Sequence, residues 1–262
     1  MKTLDTALQL LRLFETEELT LSVTQIADAT GMPKSKVSRL LAVFRTNGFL
    51  EQDPQTRRYR VGLAAFELGA NYVRAQPLAR DALPILRSIV EQTGHSTTLS
   101  VMRQNRLLHI MAVEGPHYID GRWRVGSRLP VHATSAGKVI LAGMEPRELD
   151  VFLTHYPLRA ITPDTVTDPA RLREQVAAIR ESGVAVTRGE SSPGLAAIAV
   201  PVIGPDGATT AALGLIIPDQ FFSKPDIKSW TALLHREARR LSIKQGAGDY
   251  SYGSSLALSA AG

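Results

Sequence analysis

Two stretches of this 262-residue sequence hold side chains at spacings that could do chemistry. In residues 33–46, Val37, Leu40, Leu41 and Phe44 recur as one helical stripe. Ser35, Arg39, Ala42 and Thr46 then fall on the opposite side, flanked by Lys36 and Ser38, with Lys34 at the start. A small, hydroxylic, basic face can approach a phosphate backbone closely and still donate hydrogen bonds into a groove. The second stretch is HATSAGK at residues 132–138, a small-residue turn ahead of an apolar run. If a helix opens there, its first N–H groups are free and its dipole favours an anion. Thr134 and Ser135 add hydroxyl donors, and His132 leads into the turn.

The second stretch also invites sharper chemistries. Ala133 to Gly137 is similar to a nucleophile elbow whose first glycine is replaced, which would make Ser135 a hydrolase nucleophile. His155 and His235 are the histidines available to it, but no spacing pairs them with an acid. Gly137-Lys138 fails as a phosphate-binding P-loop because Val139 stands where a hydroxyl residue is needed. The six histidines (His95, His109, His117, His132, His155 and His235) lack metal-ligand spacing and read as surface or satisfied core residues. With no cysteine, disulfides and thiolate chemistry are excluded. No catalytic set, metal or cofactor is expected.

The elements that must position these stretches are legible from periodicity. Leu4, Leu8, Leu11 and Phe14 suggest a first helix with Thr3 as N-cap. Ser22 to Gln25 spells a capping box for a short second helix, which places Thr24 and Gln25 at its start; Gly31 ends it. Pro33 suits the first turn of the third helix, and Asn47-Gly48 stops it. Residues 49–61 form a hairpin, or wing, with Tyr59 and Val61 inward and Arg58 and Arg60 outward, beside Arg57. Seven basic residues stand against two acidic ones in residues 33–60, whereas residues 1–32 carry five acids and two bases. Positive charge gathered in so short a block is the footprint of a phosphate-facing surface.

Leu63, Phe66, Ala70 and Val73 form a narrow stripe, read as a linker helix that packs on a partner chain or the adjoining domain. A helix follows over residues 79–92, then strands at 97–102 and 107–113 and a charged, aromatic-bearing segment at 118–128. Helices at 135 onward and 169–181, strands at 184–186, 196–203 and 211–217, and a last helix at 226–243 complete the pattern. The expected fold is α+β: an N-terminal winged helix-turn-helix and a C-terminal domain built on a central antiparallel sheet. The boundaries are 1–61 for the winged domain, 62–77 for the linker helix, 78–245 for the second domain and 246–262 for a disordered tail. No apolar run suits a membrane span and no leader is evident, so a cytoplasmic protein without membrane association is expected.

Taken in order, LTLSVTQIADATGMPKSKVSRLLAVFRTNGFLEQDPQTRRYRVG, GSRLPVHATSAGKVILAG, ITPDTVTD and GLAAIAVPVIGPDG resemble the IclR family of bacterial transcription regulators. The resemblance spans residues 4–243. It implies a GAF-like effector-binding domain, homodimers or homotetramers, a double-stranded, pseudo-palindromic DNA operator, and control by a small organic acid. It places the effector pocket at Ser135, Ala136, Thr187, Arg188, Ala197, Gly214 and Ile216, to which His132, Thr134 and Met111 are added as candidates. Members that bind small 2-oxo acids carry more polar groups at several of these positions. A larger, aromatic or hydroxylated acid is therefore expected here, with Arg188 either its counter-ion or a surface arginine. The DNA-contacting set is Thr24, Gln25, Lys34, Ser35, Lys36, Ser38, Arg39, Arg57, Arg58 and Arg60.

Overall fold

In a computed structural model, which describes residues 2–15, 18–117 and 125–253, the chain separates into two units, Met1–Gln76 and Pro77–Gly262. The first holds helices α1 (Lys2–Arg12), α2 (Val23–Thr30), α3 (Lys34–Thr46) and α4 (Leu63–Ala75), with strands β1 (Leu50–Gln52) and β2 (Tyr59–Val61) between α3 and α4. Ser22 accepts from the Gln25 amide, the Gln25 side chain accepts from the Ser22 amide, and Gly31 leaves the helix at φ 66°. Only a glycine enters that left-handed region without steric cost. The core joins Leu10, Phe14, Ile26, Val37, Leu41, Leu50 and Tyr59. The wing is tied down by Leu21, which exchanges two 2.8 Å backbone hydrogen bonds with Tyr59.

Four expectations for this unit are corrected. Leu4 and Leu8 are 67% and 50% exposed, and Leu10 at 0% carries the buried face of α1 together with Phe14. A 3₁₀ turn at Leu13–Glu15 follows α1, and its tighter winding brings Phe14 in above Leu10. Thr3 lies inside α1 and Pro33 just before α3, so neither occupies its expected place. Val61 shares a strand face with Tyr59 but is exposed, because the inner surface ends at Tyr59. In α4 no residue is buried, and Leu63, Phe66, Leu68 and Tyr72 all face outward.

The second unit begins with α5 (Pro77–Thr93), then β3 (Ser96–Arg103), β4 (Arg106–Val113), β5 (Arg128–Pro130), α6 (Ser135–Ala142), α7 (Pro146–His155) and α8 (Pro169–Ser182). It ends with β6 (Ala185–Arg188), β7 (Leu195–Ile203), β8 (Thr209–Pro218) and α9 (Lys224–Lys244). The six strands pair antiparallel in the order β5-β4-β3-β8-β7-β6. Alternation assigns the two faces: Leu99, Ile198, Val200, Leu213 and Leu215 pack with α5 and α9. Leu107, Ala199 and Ala212 pack with α6, α7 and α8. This is the GAF-like form expected. The helix α7 was not anticipated, although Glu145 and Glu148 make a capping box around Pro146. Residues 118–124, within the charged segment noted in the sequence, lie outside the described residues.

The tail expectation also changes. Residues 246–253 fold back on α9, where Tyr250 is buried and its hydroxyl lies 2.9 Å from His235 Nδ1; residues 254–262 lie outside the described residues. Burial pushes His235 down to about 4 from its usual 6.5, so the folded chain keeps it neutral where the unfolded chain takes up a proton. Its contribution to stability is whole above pH ~6.5 and is lost as pH falls toward ~4, on the order of 1.4 kcal/mol per pH unit within that window. Thermal melting of His235→Phe between pH 7 and 5 is therefore expected to show a shallower slope than wild type; parallel slopes would refute this.

Candidate nucleic-acid interface and ligand cavity

The α3 face opposite its buried Val37 and Leu41 presents Lys34, Ser35, Lys36, Ser38, Arg39 and Thr46, all exposed. No side chain caps the start of α3, which leaves early N–H groups and the positive end of the dipole for an anion. Among the described residues, the side chains of Lys34, Lys36, Arg39 and Arg57 have no hydrogen-bond or ion-pair partner in the chain. At the wing tip, Asp53 accepts from the amides of Gln55 and Thr56, which holds its carboxyl below the usual range. The turn carries Arg57 outward at φ 59°.

Three of the ten predicted contacts are otherwise engaged. Arg58 folds inward and donates to Thr20 Oγ1 and the Thr20 carbonyl at 2.8 and 2.7 Å. Arg60 pairs with Glu51 across the hairpin at 2.9 Å. Gln25 is used by the capping box and by Glu18, while Thr24 stays exposed. Alternation gives the side of a strand on which an arginine stands, but a side chain this long can fold back to a local acceptor.

On the α6 side of the large sheet lies a cavity of about 50 Å³. Thr98, His109, Thr187, Ala197, Gly214 and Ile216 come from five neighbouring strands, and Thr134, Ser135 and Ala136 from the start of α6. Thr134 caps α6 by accepting from the Gly137 amide at 3.1 Å. The amides of Ser135 and Ala136 are left without a partner among the described residues, as the first turn of a helix requires. Glycine is needed at 214, where a Cβ would sit 2.9 Å from Thr98 Oγ1, and at 137, where it would sit 2.0 Å from the Val131 carbonyl. Small residues thus let α6 approach the sheet and keep the space open.

The remaining wall is the loop carrying Glu190, Ser191 and Ser192. Lys138 Nζ lies 2.6 and 2.7 Å from the two Glu190 carboxylate oxygens, with both side chains almost fully buried. Burial lowers the Lys138 pKa, and the Glu190 contact opposes that shift. The Glu190 carbonyl accepts from Thr165 Oγ1 at 2.7 Å, and the Gly189 carbonyl from Thr162 Oγ1 at 2.7 Å. Gly189 and Glu190 are therefore fastened to α6 by charge and to residues 161–166 by hydroxyls, and these bonds do not extend to Ser191 and Ser192.

Residues 3–54 match the IclR helix-turn-helix domain, and residues 70–243 match the bacterial transcriptional regulator IclR C-terminal domain. The chain belongs to the IclR family. It is similar to the HTH-type transcriptional regulator XynR of Escherichia coli K12, at 32% identity over 82% of this chain and 85% of that one. It is similar to the transcriptional repressor IclR of the same organism at 25% identity, over 94% and 90%. Among solved structures it resembles an IclR homolog from Microbacterium hydrocarbonoxydans complexed with 4-hydroxybenzoate, with TM-score 0.79 and 26% identity over 93% and 98% of the chains.

Within this IclR-family domain the cavity gathers Thr134, Ser135, Ala136, Thr187, Ala197, Gly214 and Ile216. Three predicted lining residues fall elsewhere. Met111 sits beyond a bulge that pairs Leu99 with Met111 but Ser100 with His109, so the extra residue Ile110 reverses the alternation and sends Met111 to the α5 side. His132 is buried outside the cavity, its Nε2 3.0 Å from the Arg159 carbonyl. Arg188 is 64% exposed and paired with Asp219, one of the two contacts being 2.8 Å, and this pairing raises its pKa. It is no counter-ion for a ligand in this cavity. His155 and His235, the hydrolase reading's two histidines, also lie outside the lining. Sequence reasoning missed Thr98 and His109 as lining residues, and Glu190 as the partner of Lys138. The signal for Thr98 and His109 was polar residues alternating along otherwise apolar strands; for Glu190 none was available.

Proposed function

We propose that the chain is a cytoplasmic, ligand-responsive repressor of a catabolic operon that binds a pseudo-palindromic operator as a dimer or tetramer. Two α3 helices enter successive major grooves, and Arg57 reaches the backbone from each wing. The observation that carries this reading is the set of partner-free cations on α3 and the wing tip, in a unit that matches the family's helix-turn-helix domain. The outward apolar residues of α4, with Leu4 and Leu8 of α1, support a second copy as the surface that covers them. Among the described residues no helix is long and apolar enough to cross a membrane.

The cavity takes a small carboxylate, held by the Ser135 and Ala136 amides and the Ser135 hydroxyl. With space for only a few waters, it must widen to admit an organic acid, and the half-buried Ser191 and Ser192 form the wall free to move. An acid that favours the widened state shifts the arrangement of the two DNA-binding heads by that differential affinity. The solved relative bound to 4-hydroxybenzoate makes hydroxylated aromatic acids the first to try.

The test is retention of genomic DNA fragments by the full-length protein, followed by release with candidate acids. Salt-sensitive retention of a few fragments and their release by one acid are expected. Retention of every fragment alike, or release by none of the acids, would overturn the corresponding half of the reading.

A further inference from the structure

His109 lines the cavity, and its Nε2 has no use in the reading above. We propose that His109 sets the specificity of the cavity, its Nε2 taking an uncharged hydroxyl or carbonyl oxygen of the bound acid. The proposal rests on the cavity's being the effector site. His109 is 4% exposed, and Nε2 is buried with no hydrogen-bond partner among the described residues. A buried polar atom left unpaired costs free energy, which a ligand bringing the missing partner recovers and one lacking it does not.

The other ring nitrogen is already held. Nδ1 lies 2.8 Å from Ser100 Oγ, on a fully buried serine one strand away. Because a hydroxyl rotates, the pair has two forms. If Nδ1–H donates to Oγ, Nε2 accepts from a ligand hydroxyl. If Ser100 donates to Nδ1, Nε2–H donates to a ligand carbonyl. Burial pushes the His109 pKa down to about 4, so near neutral pH the ring carries no charge to offset a second carboxylate. Its place in the sheet fits a second recognition point. His109 is on β4, with β3 and β8 between it and β7, whereas Thr187 lines the cavity from β6. Leu107 and Leu129 from β4 and β5 also line the cavity and supply apolar surface for the body of the acid.

The experiment is calorimetric titration of the full-length protein with benzoate, 4-hydroxybenzoate and terephthalate, which differ only in the para group. Wild type is expected to bind 4-hydroxybenzoate at least tenfold more tightly than either of the others. In His109→Phe the ratio of 4-hydroxybenzoate to benzoate affinity should fall to within threefold of one, and in His109→Gln, which keeps a donor and an acceptor, it should stay above five. A wild-type ratio near one, preference for terephthalate, or a preference unchanged in His109→Phe overturns the assignment. Ala197→Phe, which fills the cavity from β7, separates the two levels. If benzoate binds wild type but not Ala197→Phe while the ratio ignores His109, the effector site stands and the role of His109 falls. If none of the three acids binds, or Ala197→Phe binds them as wild type does, both fall.

Discussion

Glu190→Ala is expected to destabilise the C-terminal unit by about 3–5 kcal/mol, because it leaves the buried Lys138 ammonium without its carboxylate. The expected cost exceeds that of a surface pair, typically about 0–1 kcal/mol, because neither charge can be rehydrated in place. Lys138 has one escape, to lose its proton, and burial already lowers its pKa in the wild type. Without Glu190 the folded lysine binds fewer protons than the unfolded one, so the variant's stability relative to wild type must rise with pH. The penalty at pH 9 should accordingly be smaller than at pH 7. Replacing both partners by apolar residues, Lys138→Met with Glu190→Leu, removes the charge to be buried and should recover most of the loss. Urea midpoints at both pH values measure this, with an unchanged slope showing that the native state is intact. A single-variant cost below about 1 kcal/mol, or a penalty that grows with pH, would show the pair to be solvated.

That pair also marks how far the fold and the site were legible in the sequence. Periodicity and caps located nearly every element, since Ser22/Gln25 and Gly31 act over a few residues and need no tertiary context. Ala197 and Gly214 were placed at the pocket by the family resemblance, and the cavity includes both. Side chains whose direction depends on distant atoms were not legible. Met111 was misplaced by one bulged residue, Arg188 by a partner 31 residues away, and Arg58 by one 38 residues away. Lys138 and Glu190 lie 52 residues apart, and neither stands in a local pattern that announces the other. The first helix failed for a different reason: of the stripe Leu4, Leu8 and Leu11 only Leu11 packs on the core, and Leu10 takes the fully buried place.

The exposed face of α3 allows a sharp division among its cations and those of the wing. Arg39→Ala should weaken binding to a selected operator by about 1–3 kcal/mol per contact if the guanidinium reads a guanine, with a much smaller loss on random DNA. In a dimer the contact is made twice, so the effect on the operator approaches double this range while the sites act independently. Arg57→Ala, at a wing tip with no partner among the described residues, should lower affinity on both DNAs and reduce the salt slope by roughly one for each wing. Arg58→Ala is the informative control. Its two hydrogen bonds to Thr20 predict a lower melting temperature for the N-terminal unit and a DNA affinity that follows the folded fraction. Anisotropy titrations on operator and random duplexes at several salt concentrations, set beside melting curves, separate the three. If Arg58→Ala melts like wild type yet binds both duplexes more weakly with a flatter salt slope, the arginine must leave Thr20 for a phosphate. The wing would then be remade by DNA, and the cations free in the unbound chain would not be those that define the interface.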